Sequence, residues 1–209
     1  MDNNQIFDGQ PVIEFDKESD RRNFIKWAGI VGVGSTLVAG GLGKQWASAQ
    51  GNSDIDILNY ALTLEYLEAD FYTRGLDAGI LSGRDEALVS PIKAHEQAHV
   101  STLSQTITDL GGKPVKKPGF KYPGATFKSK DGFLKTASVF EELGVTAYHG
   151  QVTEIKNPDL LAAAASIAGV ESRHAAILAD LTGGNPFPAP VEKTATMAEV
   201  LKAAKPFLK

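Results

Sequence analysis

The chain has 209 residues, 43% hydrophobic and 22% charged, an ordinary mix for a globular protein with one well-filled core. Its formal net charge of −4 lacks the basic excess of a nucleic-acid surface, so no nucleic acid is expected as partner. It has no cysteine, which excludes disulfides, thiolate zinc sites, iron–sulfur clusters and a cysteine nucleophile, and leaves His, Asp, Glu or backbone oxygen to hold any metal.

The first fifty residues read as an address. Ser19-Asp20-Arg21-Arg22-Asn23-Phe24-Ile25-Lys26 resembles a twin-arginine export signal, with a Phe two residues after the Arg pair and a Lys beyond it. Residues 27–43 are weakly apolar and broken by glycines, short of the about 20 apolar residues that span a membrane. Ala47-Ser48-Ala49 has the small-x-small pattern of a signal peptidase site. Residues 1–49 are therefore expected to direct export and to be cut after Ala49. Left uncut, they would act as an anchor. The mature chain belongs in the periplasm, the envelope or outside the cell, and the twin-arginine translocase is its expected partner during export.

Beyond this segment the chain reads as helix with clear punctuation. An amphipathic stretch over about 56–76 sets Leu58, Leu62, Ala69, Tyr72 and Leu76 on one stripe, with Glu65 interrupting it. A second helix is predicted to open at Ser90-Pro91, a cap followed by proline at the first helical position, and to stop at Gly111-Gly112. A third runs from near Asp131 past Tyr148, and a fourth opens at Asn157-Pro158 and ends before Gly183-Gly184. Residues 113–130 keep no helical period; prolines and glycines break them up, and their six lysines read as a solvated surface. After a Pro-rich stretch at 185–190 comes a short tail helix over about 197–204. The division is 1–49 signal, 50–184 bundle and 185–209 extension. Short links and one long crossover between helices two and three fit an all-α, ferritin-like antiparallel four-helix bundle.

Six polar residues occupy faces that should be apolar. Glu65 and Glu141 interrupt the stripes of helices one and three. Glu96 and His99 share a face of helix two, and Glu171 and His174 repeat that spacing on helix four. Tyr72 follows Glu65 by seven residues and Tyr148 follows Glu141 by seven, so one unit, a Glu…Tyr helix and then a Glu-x-x-His helix, occurs twice. Four carboxylates in a core demand compensation, because burying one unpaired charge costs several kcal/mol. Two divalent cations cancel four glutamates, and neutral imidazoles complete the coordination. The expected ligands are Glu65, Glu96, His99, Glu141, Glu171 and His174. Tyr72 and Tyr148 are expected to bond the carboxylates. Glu68 lies beside the stripe, either as a partner of the site or in place of Glu65. Asp70 is a candidate to orient a histidine.

Leu62-Thr63-Leu64-Glu65-Tyr66-Leu67-Glu68, His95-Glu96-Gln97-Ala98-His99, Glu141-Glu142-Leu143-Gly144-Val145-Thr146-Ala147-Tyr148 and Glu171-Ser172-Arg173-His174 together resemble the bacterial ferritin-like family related to plant desiccation-related proteins. The resemblance covers nearly all of the mature chain. It implies the bundle, and only weakly an activity, since much of that family has no assigned reaction.

The expected function is a dimetal oxidoreductase (peroxidase, catalase-like or ferroxidase) acting on peroxide, dioxygen or ferrous iron. Its cofactor would be two iron ions, or alternatively two manganese ions. Rubrerythrins feed electrons through a cysteine-ligated iron, which this chain cannot build. A small inorganic substrate is the expected partner, and a homo-oligomer is compatible with the bundle. The alternative is a non-enzymatic stress, desiccation or envelope protein with a structural metal site. His95-Glu96-Gln97-Ala98-His99 also spells the H-E-x-x-H of zinc proteases. That reading leaves the second Glu-x-x-His unexplained, and Thr102 and Gln105 stand where its extended form has Gly and a third His.

Overall fold

The structure, a computed structural model, describes residues 53–209. The signal assigned to 1–49 and its cleavage site lie outside them. Four long helices, α1 (Asp54–Asp77), α2 (Gly83–Asp109), α3 (Lys130–Gly150) and α4 (Pro158–Leu181), precede a short α5 (Met197–Ala204) and a 3-10 turn, Lys205–Phe207. α1 packs on α2 and α3 on α4, and the two hairpins close face to face through α1 with α3 and α2 with α4. This is the all-α bundle with one long crossover that the helix pattern implied. Among the described residues no helix is long and apolar enough to cross a membrane.

Local chemistry sets the ends. Ser53 and Asp56 form a capping box at the start of α1: the Ser53 hydroxyl accepts from the Asp56 N–H at 3.2 Å, and the Asp56 carboxylate accepts from the Ser53 N–H at 3.1 Å. Asn157 caps α4 and Pro158 takes its first turn, as the sequence indicated. The Asp54 carboxylate accepts from the N–H groups of Lys156 and Asn157, at 2.9 and 3.0 Å, and so ties the start of α4 to the start of α1. Gly111 and Gly183, at φ +74° and +75°, follow the last turns of α2 and α4 in the left-handed region that glycine adopts freely.

One boundary departs from the sequence reading. α2 begins at Gly83, and Pro91 sits inside it. A proline there removes one helical hydrogen bond and crowds the Ala87 carbonyl. Packing outweighs this: Val89 and Ile92, on either side of the proline, are both buried, and Arg84 bonds Asp180 on α4 at 2.7 Å.

Two apolar clusters fill the bundle, one towards each end. In one, Phe71 stacks on Phe133 at 4.8 Å and meets Phe140 edge-on at 5.0 Å. Gly75 makes room for this, since a Cβ there would lie 2.0 Å from a Phe133 ring carbon. The other gathers Leu58, Leu62, Leu103, Ile107, Leu160 and Ile167. The crossover lies along α1: Tyr122 donates to Asp70 at 3.1 Å, and Lys117 pairs with the same carboxylate at 3.0 Å. Asp70 thus anchors the crossover and does not orient a histidine. The chain end returns to this loop. Lys121 N–H donates to the Phe207 carbonyl and Lys209 N–H to the Gly119 carbonyl, both at 2.9 Å, while Val200 and Ala204 of α5 are buried.

Candidate metal centre

Between the apolar clusters lies a polar layer. The six residues expected as ligands meet there: Glu65 from α1, Glu96 and His99 from α2, Glu141 from α3, Glu171 and His174 from α4. All four glutamates are 0% exposed, and His99 and His174 are 8% and 4% exposed. They form two groups, Glu65–Glu96–His99–Glu171 and Glu96–Glu141–Glu171–His174, and within each the candidate ligand atoms lie within 4.8 Å of one another. Glu96 and Glu171 belong to both groups. Each group adds one histidine and one further glutamate, so the sequence repeat becomes a two-fold arrangement in space.

The tyrosines cross between hairpins. Tyr72 on α1 donates to Glu141 on α3 at 2.5 Å, and Tyr148 on α3 donates to Glu65 on α1. Both imidazoles turn Nδ1 inward. His99 Nδ1 lies 3.1 Å from Glu65, 3.3 Å from Glu96 and 3.2 Å from Glu171. His174 Nδ1 lies 3.1 Å from Glu96 and 3.2 Å from Glu141.

Crowding shows in the acidities of the metal-free chain. Burial, reinforced by the charges of Glu141, Glu96 and Glu65, holds the Glu171 carboxyl well above the usual range. Burial and the neighbouring Glu65 push Glu96 up to about 7. For Glu65, burial acts upward but is outweighed by bonds from His99, Glu96 and Tyr148, and its pKa falls below the ordinary value. Burial opposes charge on His174, yet the Glu141 and Glu96 carboxylates raise it to about 9; His99 is raised likewise by Glu171, Glu65 and Glu96.

Whether metal fits can be tested on the oxygens. Glu171 Oε2 is buried with no partner, while Glu96 Oε1 and Glu171 Oε1 are each reached only by an imidazole, His174 Nδ1 at 3.1 Å and His99 Nδ1 at 3.2 Å. They belong to the two glutamates shared by both groups. An unpaired buried polar atom costs about 1–3 kcal/mol, and more for a charged group. Cations between the groups would pair these oxygens, and the set of carboxylate oxygens with imidazole nitrogens suits first-row divalent ions. The residues fit a dimetal centre.

The structure places Glu68 and adds two features the sequence reading lacked, the role of Gly144 and the partner of His95. Glu68 is buried at 3% exposure and belongs to neither group. Burial and the charges of Glu171, Glu141, Glu96 and Glu65 raise its pKa well above the usual range. Gly144 opens the space for two carboxylates: a Cβ there would lie 2.9 Å from Glu171 Oε2 and 3.3 Å from Glu68 Oε1. Its signal was a glycine three residues after Glu141 inside a helix, where glycine is costly. His95, half of the zinc-protease motif, belongs to neither metal group. Its Nδ1 lies 2.8 Å from the outer nitrogen of His174, with the ring planes 9° apart and the centroids 5.1 Å apart.

Comparison with known proteins agrees with this architecture. The crystal structure of a hypothetical protein from Methanococcus jannaschii DSM 2661 superimposes with a TM-score of 0.52 at 14% identity, covering 79% of this chain and 98% of that one, a likeness of fold. No curated protein matches the sequence. The family model of the ferritin-like domain matches residues 53–184, the whole four-helix bundle, and the chain therefore belongs to the ferritin-like domain family.

Proposed function

We propose that this is an exported dimetal oxidoreductase that binds two iron ions, or two manganese ions, and acts on peroxide, dioxygen or ferrous iron. The observation that carries the reading is the pair of shared glutamates, Glu96 and Glu171, fully buried and common to both groups, while each group is closed by one imidazole. When bound, the metals would supply Lewis acidity and one-electron redox cycling. The chain's own part is positional. Glu96 and Glu171 belong to both groups and would serve both ions. Tyr148 and Tyr72 fix the carboxylates of Glu65 and Glu141 by donating to them. Glu68, whose carboxyl is held well above the usual range by burial and by the neighbouring glutamates, lies with Glu171 against Gly144. The apolar clusters on both sides exclude bulk water. Without cysteine there is no thiolate-bound iron to relay electrons. Peroxide dismutation and ferrous oxidation, which need no such relay, are favoured.

Complete burial of four glutamates also favours a second reading, a stress or envelope protein whose metals only brace the bundle. Elemental analysis and turnover assays on metal-loaded protein test both. Two metals per chain with turnover of peroxide or ferrous iron supports the enzyme. Two metals without turnover supports the structural reading. One zinc per chain overturns both. Export rests on the Arg21-Arg22 signal alone: changing both to Lys should hold the precursor in the cytoplasm, and normal export of that variant would refute it.

A further inference from the structure

We infer that His95 is a positioning residue for His174 and makes the two metal positions unequal. The inference rests on the dimetal reading. His174 turns Nδ1 towards Glu96 and Glu141, at 3.1 and 3.2 Å, inside the second metal group. Its other nitrogen, Nε2, lies 2.8 Å from His95 Nδ1. Two ring nitrogens at that distance share one proton, so one donates and the other accepts. A metal ligand must offer an unprotonated lone pair. If Nδ1 binds metal, the proton of His174 sits on Nε2 and is donated to His95 Nδ1. The geometry thus selects the ligating tautomer, and the near-parallel rings, 9° apart, fix its orientation.

Nothing equivalent serves His99. Its Nδ1 faces Glu65 and Glu96 in the same way, but its Nε2 makes no hydrogen bond among the described residues. The internal repeat shows why. Glu96 corresponds to Glu171, so His95 corresponds to Val170, an aliphatic side chain that cannot accept a proton. The two-fold symmetry of the six ligands is broken one residue before each Glu-x-x-His. Removing an outer hydrogen-bond partner of a metal-bound histidine typically weakens metal binding 10–100-fold. The ion beside His174 should therefore bind tighter and leave later than the ion beside His99.

The test is a titration of metal-free protein with Mn(II), monitored by electron paramagnetic resonance and calorimetry, on wild type, His95→Ala and His95→Gln. Wild type should bind two ions in distinct steps. His95→Ala should weaken the tighter step about tenfold or more and bring the two together, and His95→Gln, whose amide oxygen accepts a proton, should restore part of the gap. Loss of the tighter step with the other step retained separates positioning from folding, because a folding defect would weaken both steps alike. A second readout needs no metal: nitrogen-15 labelled wild type should show scalar coupling between the two ring nitrogens across the 2.8 Å contact. Two binding steps unchanged in His95→Ala, or an equal loss at both, overturns the inference while leaving the dimetal reading intact. Wild type that shows the coupling but binds no metal overturns the dimetal reading and the inequality with it. Absence of the coupling removes the hydrogen bond itself.

Discussion

Chelation turns the polar layer into a pH-dependent liability, and the acidities set its direction. Glu96 stands near 7 in the metal-free fold against 4.5 when free of its surroundings. A carboxyl raised in the fold contributes fully below its unfolded value, and that contribution is lost as pH climbs towards the folded one. The loss over this interval is about 3 kcal/mol. His174, raised from 6.5 to about 9, loses its contribution over the next interval in the same direction. Glu68, Glu171 and His99 are also raised and act with them. Glu65 and Asp70 are lowered, so their contributions are lost only in stronger acid, outside the window; His95, lowered by burial and by His174, opposes the trend below 6.5, one group against five. The metal-free protein should therefore be most stable near pH 5 and weaken steadily to pH 8. For a domain of this size 1 kcal/mol moves the melting point roughly 2–4 °C, so the Glu96 interval alone implies a fall on the order of 10 °C. Metal-loaded protein should behave oppositely, since ligands must lose protons to bind. Calorimetric melts of chelated and loaded protein at pH 5, 6, 7 and 8 decide the matter. A chelated protein whose melting point is flat, or rises, over that range would refute the reasoning.

Glu171→Gln should raise the melting point of chelated protein at pH 8, leave it near wild type at pH 5 and abolish two-metal binding; a lower melting point at pH 8 would show that Glu171 makes favourable contacts of its own. Tyr148→Phe removes the donor to Glu65 and should cost about 1.5–3 kcal/mol in urea unfolding of the chelated protein, as for a hydrogen bond to a charged group; no loss would mean that the hydroxyl is dispensable there. Gly144→Ala should leave chelated stability unchanged or slightly higher, by helix propensity, yet lower metal affinity tenfold or more, because its methyl displaces Glu171 and Glu68. Equal metal affinity in that variant would show that the carboxylates have room to move.

The bundle was legible because each helix carries its own punctuation and face. Asn157-Pro158 and Gly111-Gly112 end or begin helices by local rules that need no tertiary information. The six polar residues were legible because each breaks an apolar stripe, and because the pattern occurs twice. What failed was whatever depends on a facing helix. Pro91 is a sound start signal until the burial of Val89 and Ile92 holds the helix together across it. His95 shares a helix with Glu96, but its partner is His174 on α4, 79 residues away, and no periodicity reports that contact. Glu65 and Glu68 both lie on the inner side of α1; only the positions of α2 and α4 decide that Glu65 joins a metal group and Glu68 does not.

The same limit bears on the four glutamates, which the sequence presents as equals. Periodicity makes Glu65 and Glu141 a natural pair to neutralise, since each interrupts a stripe alone. The structure divides the set differently. Glu65 and Glu141 each accept from a tyrosine of the opposite hairpin and from a histidine, so they are well paired without metal. Glu96 and Glu171 have no tyrosine donor and share the two imidazoles with the outer pair, and Glu171 Oε2 has no partner at all. Replacing the first pair with Gln keeps the volume but gives up charge-assisted bonds, so it should lower the stability of chelated protein. Replacing Glu171 gives up one contact, to His99 at 3.2 Å, but relieves a buried carboxylate with an unpaired oxygen. The destabilising charge therefore resides in the shared glutamates, where cations would lie, while the outer glutamates brace the fold through the tyrosines. A protein whose glutamates served packing alone would have no reason to bury an unpartnered carboxylate oxygen on a residue that both groups share.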